Sequence, residues 1–282
     1  MGLKLFAALS LLVGVLLCVF LGGFESLMWL WLLPLGAVGA LLVLAALVFL
    51  FLLIACALID PDKEQQDDSK FFRVLVNLIV ETLFPFARVK INTQGLEKTP
   101  KDGRFLLVCN HIHDIDPAVL FKCFPKSQLA FVGKQEVRDM FLVGKIMPKL
   151  LCQFINREND KEALKTILKC ISLLKGDKVS IAVFPEGYIR PNRKLHHFRP
   201  GVFKIAQKAK VPIVVCTLQG SQYVMKNFLK LKPSTVDLHL LDVISTEALQ
   251  GRTTVEIAQQ VYTMMAQDLG PENVHQETED NT

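Results

Sequence analysis

Leu106-Leu107-Val108-Cys109-Asn110-His111-Ile112-His113-Asp114-Ile115-Asp116-Pro117 is the stretch on which the fold turns. It closes an apolar run, Arg104–Cys109, that reads as a strand, and it turns polar at Asn110. Asp116-Pro117 then reads as a helix start, with Asp116 as N-cap and Pro117 at the first helical position. A strand, a polar turn and a helix in twelve residues is the signature of a sheet whose chemistry sits where its strands end.

Strands and helices alternate outward from this point. Arg88–Ile91, Gln128–Val132, Gln153–Asn156, Val179–Phe184, Pro212–Cys216 and Val236–Val243 read as strands. Helices are expected at Asp116–Phe124, Phe203–Ala209 and Thr254–Asp268. A further helix runs from Asp160 to Leu174, with Asp160 as its cap, Ala163, Ile167, Ile171 and Leu174 on one face, and Gly176 at its end. Phe71–Arg88 reads as an amphipathic helix, because Phe72, Leu75, Val76, Ile79 and Leu83 recur at helical spacing. It suits either a core position or the surface of a bilayer. Such alternation defines an α/β domain, with helices on the faces of one sheet, over residues 71–270. The acidic tail 271–282 is expected to be disordered.

The first 59 residues are different in kind. Their only charged side chains are Lys4 and Glu25. The run Leu5–Leu21 would make a helix of about 27 Å, close to the hydrocarbon thickness of a bilayer. The stretch 27–59 exceeds one untilted span. Pro34, Gly36 and Gly39 are expected to break or kink it, with Trp29 and Trp31 as interfacial anchors and roughly 36–59 crossing the membrane. No small-x-small cleavage site follows the first run and a second apolar segment comes straight after, which favours a retained anchor of two transmembrane helices over a signal peptide. Residues 60–70 form a polar linker. The connector Gly22–Ser26 carries no Lys or Arg, whereas nearly all of them lie after residue 60, so the positive-inside rule puts the domain in the cytoplasm. The seven cysteines, an odd number without a C-x-x-C pair, fit a reducing compartment and argue against disulfides and zinc.

Two strand ends carry candidate chemistry. A His and an Asp five apart across a strand-to-helix turn can point at each other. Asp116 would then fix the tautomer of His111 and leave the other ring nitrogen free to take a proton from a hydroxyl. Assistance of that kind is worth about a hundredfold to ten-thousandfold in rate. The second end is Val183-Phe184-Pro185-Glu186-Gly187, where Gly187 allows close backbone approach. After it come Arg190, Arg193, Lys194 and Arg199, either a phosphate-binding cluster or a solvated basic loop. His113 and Asp114 lack partners at a useful spacing and read as loop residues. Six scattered histidines suggest no metal site. No Ser nucleophile elbow is present, and Cys109, within an apolar strand, reads as a packed core residue.

Four ordered segments now carry a resemblance: His111-x4-Asp116, Phe154-Ile155-Asn156-Arg157, Phe184-Pro185-Glu186-Gly187 and Val211-Pro212-Ile213-Val214. Together they resemble the four blocks of the glycerolipid acyltransferase superfamily, typified by 1-acylglycerol-3-phosphate acyltransferases, over roughly residues 86 to 218. Phe131–Glu136 is similar to that family's Lys-x-Glu segment, and Phe198–Gly201 to its block before the last strand. The resemblance implies a mixed, mostly parallel sheet flanked by helices behind an N-terminal membrane element. It implies His111 as base with Asp116 as its orienting partner, Arg157 in the acceptor-binding block, Glu186 and Gly187 at the glycerol-phosphate site, and Lys134 as a phosphate contact. The reaction implied is acyl transfer from acyl-CoA or acyl-carrier protein to the hydroxyl of lysophosphatidate. The partners are then the bilayer, the lysophospholipid and the acyl donor, not nucleic acid, and no cofactor is required. Two departures stand out. Glu186-Gly187 continues with Tyr188-Ile189 where the family has Thr-Arg, leaving Arg190 to substitute from one place later, and Val215 stands where the family has a second Pro. The first departure keeps three other readings open: a different lysolipid or glycerol 3-phosphate as acceptor, a lipid hydrolase in which the same pair activates water, and an inactive lipid-binding relative.

Overall fold

A seven-stranded sheet organises the domain in the computed structural model, which describes residues 2–21, 27–60 and 65–275. The connector 22–26, linker residues 61–64 and tail residues 276–282 lie outside the described residues. The strands are β1 (Val89–Gln94), β2 (Leu106–Cys109), β3 (Leu129–Lys134), β4 (Gln153–Ile155), β5 (Ser180–Val183), β6 (Ile213–Gln219) and β7 (Ser234–Ile244). Their order is β1-β7-β6-β2-β5-β3-β4, and every pairing is parallel except β6 with β7. This is the mixed, mostly parallel sheet expected. Strands β2 and β5 lie at its centre, and every residue of both is buried. Strands covered on both faces need apolar side chains throughout, which is why they read as short unbroken runs. Each buried Leu or Val there contributes about 1.5–3 kcal/mol.

Because β2, β3, β4, β5 and β6 run the same way, their C-terminal ends meet at one edge of the sheet. Asn110-His111, Gln135-Glu136, Asn156-Arg157, Phe184–Gly187 and Gly220-Ser221 all leave from that edge. Topology, not sequence proximity, brings them together.

The chain forms two units, residues 1–64 with 81–86, and residues 65–80 with 87–282. In the first, helix α1 (Gly2–Phe20) packs on α2 (Trp29–Ala57). Pro34 does not break α2, which runs on through it. Gly36 is a contact point and not a breaker: a Cβ there would lie 3.3 Å from Gly14 Cα, and one on Gly14 would lie 2.9 Å from the Leu33 carbonyl oxygen. Small residues let two apolar helices approach backbone to backbone. Helix α2 is long and apolar enough to cross a bilayer, while Ala7–Phe20 is a shorter apolar stretch.

In the second unit the helices are α3 (Lys70–Phe86, of which Lys70–Val80 belongs here), α4 (Asp116–Cys123), α5 (Val143–Lys149), α6 (Asp160–Lys175), α7 (Lys204–Ala209), α8 (Val224–Leu229) and α9 (Thr254–Leu269). The cap of α6 is Asn159, not Asp160: its side-chain oxygen accepts from the Lys161 and Glu162 N–H groups. The described part of the linker is fastened to the domain, through an ion pair of Asp67 with Lys178 and a backbone bond from Ser69 to Lys149. Arg73 is buried, pairs with Asp68 at 2.8 Å and donates to the Leu129 carbonyl. The start of the tail is also ordered. Pro271–Asn273 forms a turn, and Val274 lies in a parallel bridge with Leu195, closed by N–H bonds from Leu195 to Asn273 and from His275 to Leu195. All seven cysteines are free thiols.

Candidate active site

Asn110 ends β2 and fixes the turn that follows. Its side chain donates to the Leu218 carbonyl at 2.9 Å and accepts from the Leu218 N–H at 2.7 Å, locking the turn to β6. The next residue, His111, turns its Nδ1 to Asp116 Oδ2 at 2.8 Å. Asp116 is fully buried and His111 partly exposed.

Asp116 is not the helix cap its position suggested. It is the first residue of α4, the capping position falls on Ile115, and no side-chain cap bond forms. Its carboxylate faces backward into the turn instead. Oδ2 accepts from the Ile112 and His113 N–H groups at 2.8 and 2.9 Å, and Oδ1 accepts from the Ser221 hydroxyl at 2.5 Å. Buried carboxylates need such partners, since an uncompensated charge away from water is costly. An acceptor-only carboxylate requires the proton of His111 on Nδ1, which leaves Nε2 as a basic lone pair. The ring is also held flat against Phe184, with centroids 4.0 Å apart and planes 13° apart.

Glu186 supports the same turn from the neighbouring strand. Its Oε1 accepts from the His111 N–H at 2.8 Å and its Oε2 from the His196 N–H at 3.0 Å. Burial pushes its carboxyl up to about 7, against the two backbone hydrogen bonds that stabilise the charged form. The folded protein therefore holds this proton more tightly than the unfolded chain does. Its contribution to stability is complete below the unfolded carboxyl range near about 4.3 and is lost as pH rises through about 7. We expect the stability advantage of the native protein over Glu186→Gln to shrink steadily between about pH 5 and about pH 8. Thermal unfolding in detergent across that range would show it, and a pH-independent difference would exclude it.

Gly187 follows with φ +91°, a left-handed conformation that glycine adopts without strain. A Cβ there would come within 3.2 Å of Arg199 Nε and 3.7 Å of Arg157 Nη1. Arg157 loses basicity, first through burial and then through the neighbouring charge of Arg199. Lys134, the last residue of β3, pairs with Glu136 at 2.6 Å on the surface. Arg190 stacks 4.0 Å over the ring of Tyr188, and Arg193 donates to the Ile112 carbonyl. Arg190 and Arg199 line a cleft of about 440 Å³ beside Glu186, His196 and His275. Cys109 is fully buried with its thiol pushed up by burial, the state of a packed core residue. Among the described residues no group of His, Cys, Asp and Glu is arranged to hold a metal ion.

The expected His111, Asp116, Glu186 and Gly187 thus converge, with Arg157 adjoining. Lys134 stands at the same sheet edge but is engaged by Glu136. Ser221 went unread: it lies 105 residues beyond Asp116, and only the pairing of β6 with β2 brings it near. So did the use of both Glu186 oxygens as acceptors for backbone N–H groups.

A buried carboxylate hydrogen-bonded to a histidine at the C-terminal edge of a mostly parallel sheet, with guanidinium groups alongside, is an arrangement that an α/β enzyme can use to move a proton. Residues 90–219 match the family described as Acyltransferase. A probable 1-acyl-sn-glycerol-3-phosphate acyltransferase of Mycoplasma pneumoniae is 31% identical over 206 residues, covering 70% of this chain and 75% of the relative. The 1-acyl-sn-glycerol-3-phosphate acyltransferase of Saccharomyces cerevisiae is 27% identical over 182 residues, 64% of this chain and 58% of the relative. The crystal structure of the 1-acyl-sn-glycerophosphate (LPA) acyltransferase PlsC from Thermotoga maritima superposes with a TM-score of 0.60 at 20% identity, covering 95% of this chain and 96% of that one, and so shares the fold. The chain belongs to the acyltransferase family, and it is an O-acyltransferase.

Proposed function

We propose that this enzyme transfers a fatty acyl group from an acyl thioester to the free hydroxyl of lysophosphatidate, forming phosphatidate. The observation that carries the chemistry is the bond of His111 Nδ1 to the buried Asp116, because it fixes which ring nitrogen can accept a proton. The acceptor is supported by the names of the relatives and by the arginines beside Gly187.

In the step proposed, the acceptor hydroxyl gives its proton to His111 Nε2 as its oxygen attacks the thioester carbonyl. The tetrahedral intermediate collapses, the carbon–sulfur bond breaks, and His111 returns the proton to the departing thiolate. Asp116 stabilises the imidazolium formed between the two events without taking its proton. No covalent acyl-enzyme is needed. The donor is acyl-CoA or acyl-carrier protein. The apolar helices α1 and α2 anchor the enzyme in the membrane, crossing it twice, with the catalytic domain on the cytoplasmic side where the positive residues gather. Substrate and product are both lipids, so an anchored site meets them without extracting them into water.

The test is acyl transfer by detergent-purified protein from labelled acyl-CoA, and separately from acyl-carrier protein, to lysophosphatidate. Labelled phosphatidate is the expected product. Free fatty acid released equally with and without the acceptor would instead mean a hydrolase, with His111 activating water. An untouched thioester in the presence of lysophosphatidate, other lysolipids and glycerol 3-phosphate would mean an inactive relative.

A further inference from the structure

We infer that the acceptor's phosphate is held between Arg157 and Arg199 over the backbone of Gly187, with Arg199 taking the place of the arginine that Ile189 replaces. This rests on the reading of the acceptor as a phosphate-bearing lysolipid. The argument begins with Gly187. One point above its Cα lies within 4 Å of both guanidinium groups. A side chain at that position would fill the space between them, and the left-handed φ keeps the position to glycine.

Among the described residues, neither guanidinium has a hydrogen-bond or salt-bridge partner. Glu136 attracts Arg157, but its carboxylate is in contact with Lys134 at 2.6 Å. Burial first, and then the like charge of Arg199 beside it, lowers the basicity of Arg157, and an anion between the two would relieve both. A phosphate monoester, close to doubly charged and with three acceptor oxygens, matches two guanidinium groups that each bring a nitrogen within 4 Å of one point.

Arg199 is well placed to hold its position. Its N–H donates to the Pro185 carbonyl at 2.9 Å, immediately before Glu186-Gly187. Pro200 opens a helical turn directly after it, and Phe198 before it packs on Phe203 and Tyr262. Arg190, the substitute suggested by sequence position, is instead stacked on the face of Tyr188 and acts on the Glu186 carboxyl. The cleft that Arg199 lines gives an anion a route in from solvent.

The experiment compares the native enzyme with Arg199→Gln, Arg199→Lys and Arg190→Gln, using lysophosphatidate and, as an acceptor without phosphate, monoacylglycerol. Arg199→Gln is expected to raise KM for lysophosphatidate by about 10- to 100-fold, the equivalent of one charge-assisted hydrogen bond or two, with kcat little changed and monoacylglycerol turnover unaffected. Arg190→Gln is expected to leave that KM nearly as it was. A large rise from Arg190→Gln with none from Arg199→Gln would overturn the assignment. Should Arg199→Gln fold poorly, Arg199→Lys carries the test: a several-fold rise is expected because an ammonium cannot grip two oxygens at once, and no rise overturns it. If the native protein acylates no lysophosphatidate, the proposed function fails, and the cradle is judged by inorganic phosphate. Phosphate should raise the unfolding temperature of the native protein above that in chloride of equal ionic strength, and should not do so in Arg199→Gln. No rise in the native protein, or a rise that persists in the variant, overturns the cradle.

Discussion

His111→Ala is expected to lower kcat for acyl transfer by about a thousandfold to ten-thousandfold, the upper part of the range for a positioned base. The upper part applies because nothing nearby can take over. Both oxygens of Glu186 are occupied by backbone N–H groups, and Asp116 is enclosed by donors on every side. His113 points its Nδ1 at the N–H of Ile115. The variant should fold. The bond that Glu186 makes to residue 111 runs through the main chain and survives the substitution. The loss of ring stacking on Phe184 removes about 1 kcal/mol, and the buried Asp116 loses the ring N–H but keeps its bonds from Ile112, His113 and Ser221. The measurement is single-turnover acyl transfer with saturating lysophosphatidate, alongside the unfolding temperature. Turnover equal to native in a well-folded variant would rule out His111 as the base.

Much of this centre was legible in the sequence because its two key residues are near neighbours. A five-residue turn leaves His111 and Asp116 few ways to be arranged, so their contact follows from local geometry. The central strands were legible for a related reason: full burial favours a continuous apolar run, as in Leu106–Cys109 and in the Ile181-Ala182-Val183 part of the other. Helices α5 and α8, of seven and six residues, offer no apolar period in the sequence. The capping role given to Asp116 failed because the helix-start rule is local. Ile112, His113 and Ser221 compete for the same carboxylate, and only the strand order reveals Ser221. The breaking role given to Gly36 fails for the opposite reason. Within a single helix a glycine weakens the structure, but against Gly14 it permits a contact that a larger residue would prevent. Arg199 was legible only as one member of a basic cluster. Its distance in sequence from Arg157 hides that Gly187 leaves the two facing one point.

Replacing Asp116 should separate two functions that its carboxylate combines. Asp116→Ala strands the N–H groups of Ile112 and His113 and the hydroxyl of Ser221, all packed around a site with no solvent exposure. Each unsatisfied group costs about 1–3 kcal/mol, so this variant should be strongly destabilised or fail to accumulate. Asp116→Asn should behave differently. Three N–H groups surround the position of Oδ2, two of them from the main chain and unable to turn away. Only an oxygen can sit there, which forces the amide nitrogen of Asn to the Oδ1 position, where the Ser221 hydroxyl can rotate to accept. That orientation keeps His111 in its working tautomer. What is lost is the negative charge that stabilises the imidazolium. In a serine-protease triad the same substitution traps the wrong tautomer and costs about ten-thousandfold in kcat. Here the expectation is a smaller fall, about a hundredfold, with the protein still folded. Ser221→Ala added to Asp116→Asn would strand the amide nitrogen and lower the unfolding temperature further, whereas Ser221→Ala alone removes the hydroxyl from Oδ1 and leaves the three partners of Oδ2 in place. Measuring kcat and unfolding temperature for these variants tests the account. A ten-thousandfold loss in a stably folded Asp116→Asn would mean that the amide had turned the other way and that the two backbone N–H groups do not control its orientation.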